Sequence, residues 1–127
     1  MHRQTPPAGE GFGRHHRLRR RKDFLRCYQR GRKRHGSLAS LHVHLNGEQG
    51  PRLGMTVSRK VGKAVVRQRV KRRIREIYRR WQKREMLPSL DVVVHLKPAA
   101  AAASFEDLKR ELERLLSTFL PPAETCR

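Results

Sequence analysis

The residues with the most evident chemistry are the lysines and arginines of the segment VGKAVVRQRVKRRIREIYRRW, which runs from Val61 to Trp81. Nine of its 21 residues are Lys or Arg, and Glu76 is its only acid. Lys and Arg neutralise phosphates and release counterions, and the planar fork of Arg suits a phosphate through two hydrogen bonds. Soluble faces normally mix charges of both signs, and this one does not. The segment therefore indicates contact with a polyanion.

Other chemistries have little support in the residue types and their spacing. The chain has no motif of paired carboxylates, no GxxxxGK[ST] phosphate loop and no Ser or Cys with a nucleophile signature. Cys27 and Cys126 form no metal-ligand pair and are expected to be free thiols in a reducing cytosol. We therefore expect no protein-based catalytic site and no cofactor held by a protein motif. We expect no metal site either, because seven histidines lack a zinc spacing with cysteine: His2, His15, His16, His35, His42, His44 and His95.

The composition limits how many domains the protein can have and what kind of partner it can bind. A chain of 127 residues indicates one domain with one modest core. Its formal net charge of +20 points to nucleic acid first and to an anionic membrane surface second. Residues 1–97 carry a net charge of +21 and residues 98–127 a net charge of −1, so the C-terminal piece is interpreted as scaffold. No apolar run could span a bilayer and no secretory signal is evident, so a cytoplasmic location without a membrane partner is expected.

Gly- and Pro-rich stretches mark the expected limits of the domain. Residues 1–13 are predicted to form a flexible N-terminal tail, residues 14–120 a single domain and residues 121–127 a C-terminal tail. Within the domain, helical spacing begins at Asp23, and Gly31 is the predicted end of this short helix.

Two alternating runs then predict strands, SLASLHVHL over residues 37–45 and LGMTVS over residues 53–58. The turn residues NGEQGP between them predict an antiparallel hairpin. On the first strand, Leu41, Val43 and Leu45 should point inward, whereas His42 and His44 should lie on a solvated outer face.

The basic segment itself is predicted to be an amphipathic helix that ends near Pro88. Its apolar residues recur at helical spacing, which places them on the sheet: Val66, Val70, Ile74, Ile77, Tyr78 and Trp81. At 100° per residue, polar side chains fall on the opposite face and its flanks: Gln68, Arg72, Arg75 and Arg79 opposite, and Arg69 and Lys71 at the flanks.

The last predicted elements are a buried strand over residues 91–97, parallel to a neighbour, and a helix capped at Ser104. The apolar stripe of that helix is Phe105, Leu108, Leu112, Leu115, Leu116 and Phe119. The predicted order is therefore α, β, β, α, β, α. A single-stranded nucleic acid would need exposed aromatic rings beside the positive charge. Phe24 and Tyr28 fit that role and an ordinary core about equally well.

Several stretches of the chain resemble the bacterial ribonuclease P protein family. SRKVGKAVVRQRVKRRIRE, residues 58–76, is similar to the basic signature of that family. RLRRRKDFLRCYQRG, residues 17–31, looks like its first segment, and LGMTVSRKVG matches its strand and turn. DVVVHLKPAAAAASFEDLKRELERLL looks like its last strand and helix. Together these stretches cover roughly residues 14–120.

The resemblance implies an α/β (α+β) two-layer sandwich like domain 2 of ribosomal protein S5, with a left-handed βαβ crossover. It also implies a subunit, one per RNA, of a ribonucleoprotein that removes the 5′ leader from precursor tRNA. The RNA would carry the active site and its Mg²⁺, while the protein binds the RNA and the single-stranded leader.

The resemblance also implies site residues. Contact with the RNA maps to Arg59, Lys60, Lys63, Arg67, Gln68, Arg69, Lys71, Arg72 and Arg75. The leader cleft maps to Phe24, Tyr28, His42 and His44. Gln68 and Lys63 stand where the family commonly has Asn; Gln keeps the amide's donor and acceptor but is one methylene longer. The alternatives are a basic structural ribosomal protein and a DNA-binding protein, although the Asn- or Gln-bearing reading helix of the latter is absent apart from Gln68.

Overall fold

The computed structural model describes residues 17–47 and 50–121. The predicted N-terminal tail, Cys126 and all but the first residue of the predicted C-terminal tail lie outside these ranges. The main elements are α1 (Arg21–Arg30), β1 (Arg32–His35), β2 (Ala39–Leu45), β3 (Arg52–Val57), α2 (Ala64–Arg80), β4 (Leu90–Leu96) and α3 (Phe105–Ser117). Short 3-10 turns cover Arg59–Val61, Gln82–Met86 and Pro98–Ala101. The six predicted elements are confirmed, and β1 is added to them.

The four strands form one sheet in the order β1-β2-β4-β3. β2 pairs with β4 in antiparallel orientation, and β3 pairs with β4 in parallel. The prediction of a parallel neighbour for β4 is therefore confirmed, but the predicted hairpin between β2 and β3 is wrong. The reason is the apolar run Val92–Val94, which is buried on both faces and takes the central position between them.

The hairpin that does form joins β1 to β2, with His35 opposite Ser40. The β1 sequence RKRH has no apolar alternation, so its pattern did not predict a strand. It lies at the edge of the sheet, where charged side chains are tolerated and limit further strand pairing.

Helices α2 and α3 pack on one face of the sheet and bury the main core. Val70, Ile74, Ile77 and Tyr78 of α2 are buried as predicted. α2 ends at Arg80 rather than near Pro88, because the chain continues in the separate 3-10 turn. The connection from β3 through α2 to β4 is the parallel crossover; its left-handedness stays a prediction of the resemblance.

The N-terminus of α3 is capped as predicted, since Ser104 accepts a hydrogen bond of 3.1 Å from the backbone N–H of Asp107. Two side chains predicted to be core are not. Phe105 is exposed at the first position of α3, and Leu45 is 68% exposed at the end of β2, beyond the cover of the helices.

Helix α1 packs on the opposite face of the sheet and adds a second, small cluster to the two layers. Leu18, Cys27 and Val93 form this cluster, with Phe24 packed against it. Gly54 of β3 is required here, because a Cβ on it would lie 2.6 Å from Cζ of Phe24. α1 therefore packs closely against β3 and β4.

Candidate RNA interface

The entry to α2 is a tight turn that needs glycine. Gly62 has φ of 154°, and a Cβ on it would lie 2.9 Å from a methyl carbon of Val66. Its carbonyl accepts a hydrogen bond of 3.1 Å from Nε of Arg67. The Arg67 side chain is thereby held against the turn, with part of its guanidinium left for another partner.

The exposed side of α2 carries far more positive than negative charge. Glu76 is its one acid, and it accepts hydrogen bonds from Arg79 at 2.8 Å and Arg80 at 2.9 Å. Those two arginines hold the pKa of the Glu76 carboxyl below its usual value. Within the described ranges, all eight basic residues of the predicted RNA-binding set have no acidic partner: Arg59, Lys60, Lys63, Arg67, Arg69, Lys71, Arg72 and Arg75.

The nine predicted RNA-binding residues do not form one flat patch. Arg67, Lys71 and Arg75 repeat every four residues and form one row on α2. Arg69 lies about 200° around the helix from Arg67, and its guanidinium reaches the carbonyl of Ala101 at 3.4 Å. The structure therefore turns Arg69 toward the Pro98–Ala101 turn, away from the row. Gln68 is exposed beside that row.

Two of the four predicted leader-cleft residues meet between α1 and the sheet. The ring centroids of Tyr28 and His42 are 4.5 Å apart. The Tyr28 hydroxyl donates a 2.8 Å hydrogen bond to Oγ1 of Thr56 and lies 3.4 Å from Nδ1 of His95. Tyr28 is exposed, so these four residues form a polar, aromatic cluster open to solvent on one side, which we call the Tyr28 cluster.

The other two predicted cleft residues lie elsewhere. Phe24 is half-buried against the small cluster beneath α1, which favours a core role. His44 lines a separate cavity of about 520 Å³ with Arg30 and Arg32, and its buried Nδ1 has no hydrogen-bond partner among the described residues. His44 extends beyond the Tyr28 cluster because it stands two residues further along β2.

His42 is only 8% exposed, so the predicted solvated position is wrong. Alternation along β2 places it on the outer face, but α1 covers that face. Burial lowers the pKa of His42, and the positive Lys33 and the imidazoles of His95 and His35 lower it further. His42 is therefore neutral at pH 7.

His95 and Thr56 were not predicted as site residues. They stand opposite each other in the parallel pairing of β3 with β4, and His95 also stands opposite Ser40 of β2. The sequence shows the outward position of each residue on its own strand. Thr56 and His95 lie side by side only because β4 lies between β2 and β3. The predicted hairpin excluded that strand order.

A buried ion-pair network fixes α1 over the sheet. Arg52 donates two hydrogen bonds to Asp91, at 2.7 and 2.8 Å, and lies 3.6 Å from Asp23 of α1. Asn46 donates a third hydrogen bond to Asp91 at 2.8 Å. Burial and the two carboxylates raise the pKa of the Cys27 thiol to about 12. Cys27 is thus a free thiol, as predicted, and its burial makes it unreactive.

The described part of the chain holds no group of three or more His, Cys, Asp or Glu placed to bind a metal ion. Its best-placed carboxylates, Asp23 and Asp91, already share Arg52. In residues 17–47 and 50–121 no helix is both long and apolar enough to cross a membrane.

Comparison with known proteins gives one family. The family model described as Ribonuclease P matches residues 12–120. The ribonuclease P protein component of Syntrophus aciditrophicus is 39% identical over 101 residues, which cover 80% of this chain and 84% of the relative. That of Desulfovibrio desulfuricans is 47% identical over 93 residues, or 71% and 70% of the two chains.

Solved structures agree with this result. The RNase P protein from Thermotoga maritima superposes with a TM-score of 0.73 at 32% identity, covering 83% of this chain and 98% of that one. The Staphylococcus aureus RNase P protein gives a TM-score of 0.72 at 27% identity, covering 81% and 94%. The chain therefore belongs to the ribonuclease P protein family.

Proposed function

We propose that the chain contacts both the RNA subunit of ribonuclease P and the 5′ leader of precursor tRNA. Its family gives it a role in the maturation of tRNA 5′ ends as a component of a ribonucleoprotein. The observation that carries the proposal is the row Arg67, Lys71 and Arg75 on a helix whose one acid is already paired. Such a row attracts phosphates without selecting a base sequence.

The leader is assigned to the Tyr28 cluster. An exposed ring beside positive charge suits an unpaired nucleotide, because every base has a face that can stack. Tyr28 supplies the ring, and Lys33 is paired opposite His42 at the edge of the same surface. Thr56 and His95 add polar groups that can contact the sugar or base. Phe24 and His44 are left out of this surface, Phe24 as core and His44 as a neighbour.

Cleavage is assigned to the RNA, with Mg²⁺ held there and not by the protein. Among the described residues, Asp23, Asp91 and Glu76 are each engaged by arginine, which supports that assignment. We place one protein on each RNA, and the complex in the cytoplasm, where tRNA precursors are matured.

The test is reconstitution with the ribonuclease P RNA encoded in the same genome. We expect that the protein alone cleaves no precursor tRNA, and that adding it to the RNA stimulates leader removal at low Mg²⁺. The measurement is the cleavage rate of a 5′-labelled precursor across several salt concentrations, since charge-driven binding weakens with salt. A folded protein that gives no stimulation would contradict the proposal.

Leader contact is tested separately with Tyr28→Ala, which removes the exposed ring and should weaken holoenzyme binding to precursor tRNA more than to mature tRNA. Arg67→Ala and Arg75→Ala each remove one cation of the row and should weaken binding of the protein to the RNA subunit. Arg30→Ala, which removes an exposed arginine remote from the row, is the matched control. Equal losses for precursor and mature tRNA would argue against contact with the leader.

A further inference from the structure

A cavity outside the Tyr28 cluster lies between the C-terminal half of α2 and α3. Its volume is about 620 Å³. Arg80 of α2, Lys83 of the following 3-10 turn, and Phe105, Lys109 and Arg114 of α3 line it. Since α2 and α3 cover one face of the sheet and α1 the other, this α2–α3 groove is on the side of the molecule away from the Tyr28 cluster.

The groove is positively charged. Its lining carries five cations and two acids, Glu76 and Glu113. Glu76 is paired with arginines of α2. Among the described residues, Lys83, Lys109 and Arg114 have no acidic partner. These three cations come from two elements and project into one concave space, where their fields add.

The floor of the groove is apolar and includes one accessible ring. Ile77 and Trp81 are buried beneath it, whereas Phe105 is 36% exposed. Within the described ranges, the only exposed aromatic side chains are Phe105 and Tyr28 of the proposed leader site. The cap at Ser104 fixes Phe105 at the start of α3. An exposed ring among unpaired cations is the combination that binds unpaired nucleotides.

We propose that the α2–α3 groove is a second RNA-binding surface, which takes an unpaired segment of the RNA subunit. Phosphates would contact Lys83, Lys109 and Arg114, and a base would stack on Phe105. The groove continues the α2 surface, because Arg80 stands at the C-terminal end of the same helix. The inference rests on the proposed function of α2. The leader is not the occupant, because its proposed site is on the other face of the sheet.

The test compares two double variants with the same change in net charge. Lys109→Gln/Arg114→Gln removes two groove cations, and Arg30→Gln/Arg32→Gln removes two cations at the other side of the fold. Binding of the full-length protein to the RNA subunit is measured across a salt series. The groove variant should lose about tenfold in affinity, and its salt slope should fall by about 1.4, the value for two contacts to a single strand. The control should lose less on both measures.

A second readout requires no loss of charge. Phe105 replaced by the photoreactive benzoylphenylalanine should crosslink to the RNA subunit in the assembled holoenzyme, and competing precursor tRNA should not reduce that crosslink. A crosslink to precursor tRNA instead, or none to the RNA subunit, would overturn the inference.

The α2 row separates this inference from the proposed function. Lys71→Gln/Arg75→Gln, which removes two cations of that row, is measured beside the groove variant. Loss of affinity for the RNA subunit in both variants supports both RNA-binding surfaces. Loss of affinity in the α2 variant alone overturns the proposal for the groove and leaves the proposed function in place. Unchanged affinity in both variants overturns both proposals.

Discussion

His42 illustrates at the residue scale why a strand pattern did not predict burial. Alternation in SLASLHVHL correctly separates His42 from Leu41 and Val43. It cannot show what covers the outer face, because α1 lies outside the strand's own sequence and contacts β2 only in the folded chain. The same limit explains why Thr56 and His95 were not predicted. In contrast, the spacing of Tyr28 on its own helix fitted a core and an exposed role equally well, and the resemblance assigned it to the leader cleft.

The lowered pKa of His42 makes stability depend on pH. The unfolded chain binds a proton near the ordinary pKa of 6.5, whereas the folded chain resists it. Stability is therefore complete above pH 6.5 and falls as the pH is lowered toward the folded pKa. We expect the urea midpoint to fall from about pH 7 to pH 5, and to fall less in His42→Gln.

The matched control is His35→Gln, because His35 is exposed. It should keep most of the acid-induced loss of stability. If His42→Gln and the wild-type protein lost stability in parallel, the loss would come from other groups, and His42 would not be the responsible residue.

At the scale of elements, helices were predicted better than the sheet. The helical period of α2 is present in its own 17 residues, so its buried face and its cationic face both follow from the spacing of its apolar residues. Strand neighbours are a nonlocal property. The turn residues between β2 and β3 predicted a hairpin. That hairpin does not form, because the apolar β4 lies between the two strands and pairs with both.

One contact between elements depends on a single carboxylate. Glu111 of α3 accepts hydrogen bonds from the backbone N–H groups of Ser37, Leu38 and Ala39, at 3.2, 2.7 and 2.9 Å. The Ser37 hydroxyl adds a fourth at 2.9 Å. Consecutive N–H groups turned toward one point form a concave anion site. Here a side chain of the protein fills that site, which ties α3 to the β1–β2 turn.

We expect Glu111→Gln to destabilise the fold by about 2 kcal/mol, because the charge is lost and an amide group meets backbone donors. The measurement is urea unfolding at neutral pH. Glu113→Gln, two residues along α3 and outside this contact, should change stability by less than about 0.5 kcal/mol. Equal effects of the two substitutions would show that the turn does not depend on the carboxylate.

At the scale of the whole molecule, charge is divided between faces as well as along the chain. The net charge of −1 over residues 98–127 predicted scaffold, and the buried leucines and Glu111 of α3 have that role. However, Lys109 and Arg114 project from the same helix into the α2–α3 groove. A sum over sequence hid this surface, because Glu111 contacts the β1–β2 turn whereas Lys109 and Arg114 line the groove.

A molecule with a net charge of +20 has repulsion that anions can relieve. The cationic row of α2 and the α2–α3 groove form only when both helices are folded. Anions that bind these surfaces should therefore stabilise the fold. An anion at 10 times its Kd would add about 1.4 kcal/mol, and each kcal/mol raises the Tm of a domain of this size by roughly 4–8 °C. We therefore expect the melting temperature to rise by several degrees in about 10 mM sodium sulfate, relative to NaCl of equal ionic strength.

Equal ionic strength is the decisive control, because screening alone acts similarly in both salts. The Lys71→Gln/Arg75→Gln variant should melt higher than the wild-type protein in NaCl, since repulsion along α2 is reduced. It should gain less from sulfate, because part of the anion site is gone. If sulfate and NaCl raised the melting temperature equally in both proteins, diffuse screening would account for the effect, and the cationic row of α2 and the α2–α3 groove would not be anion sites.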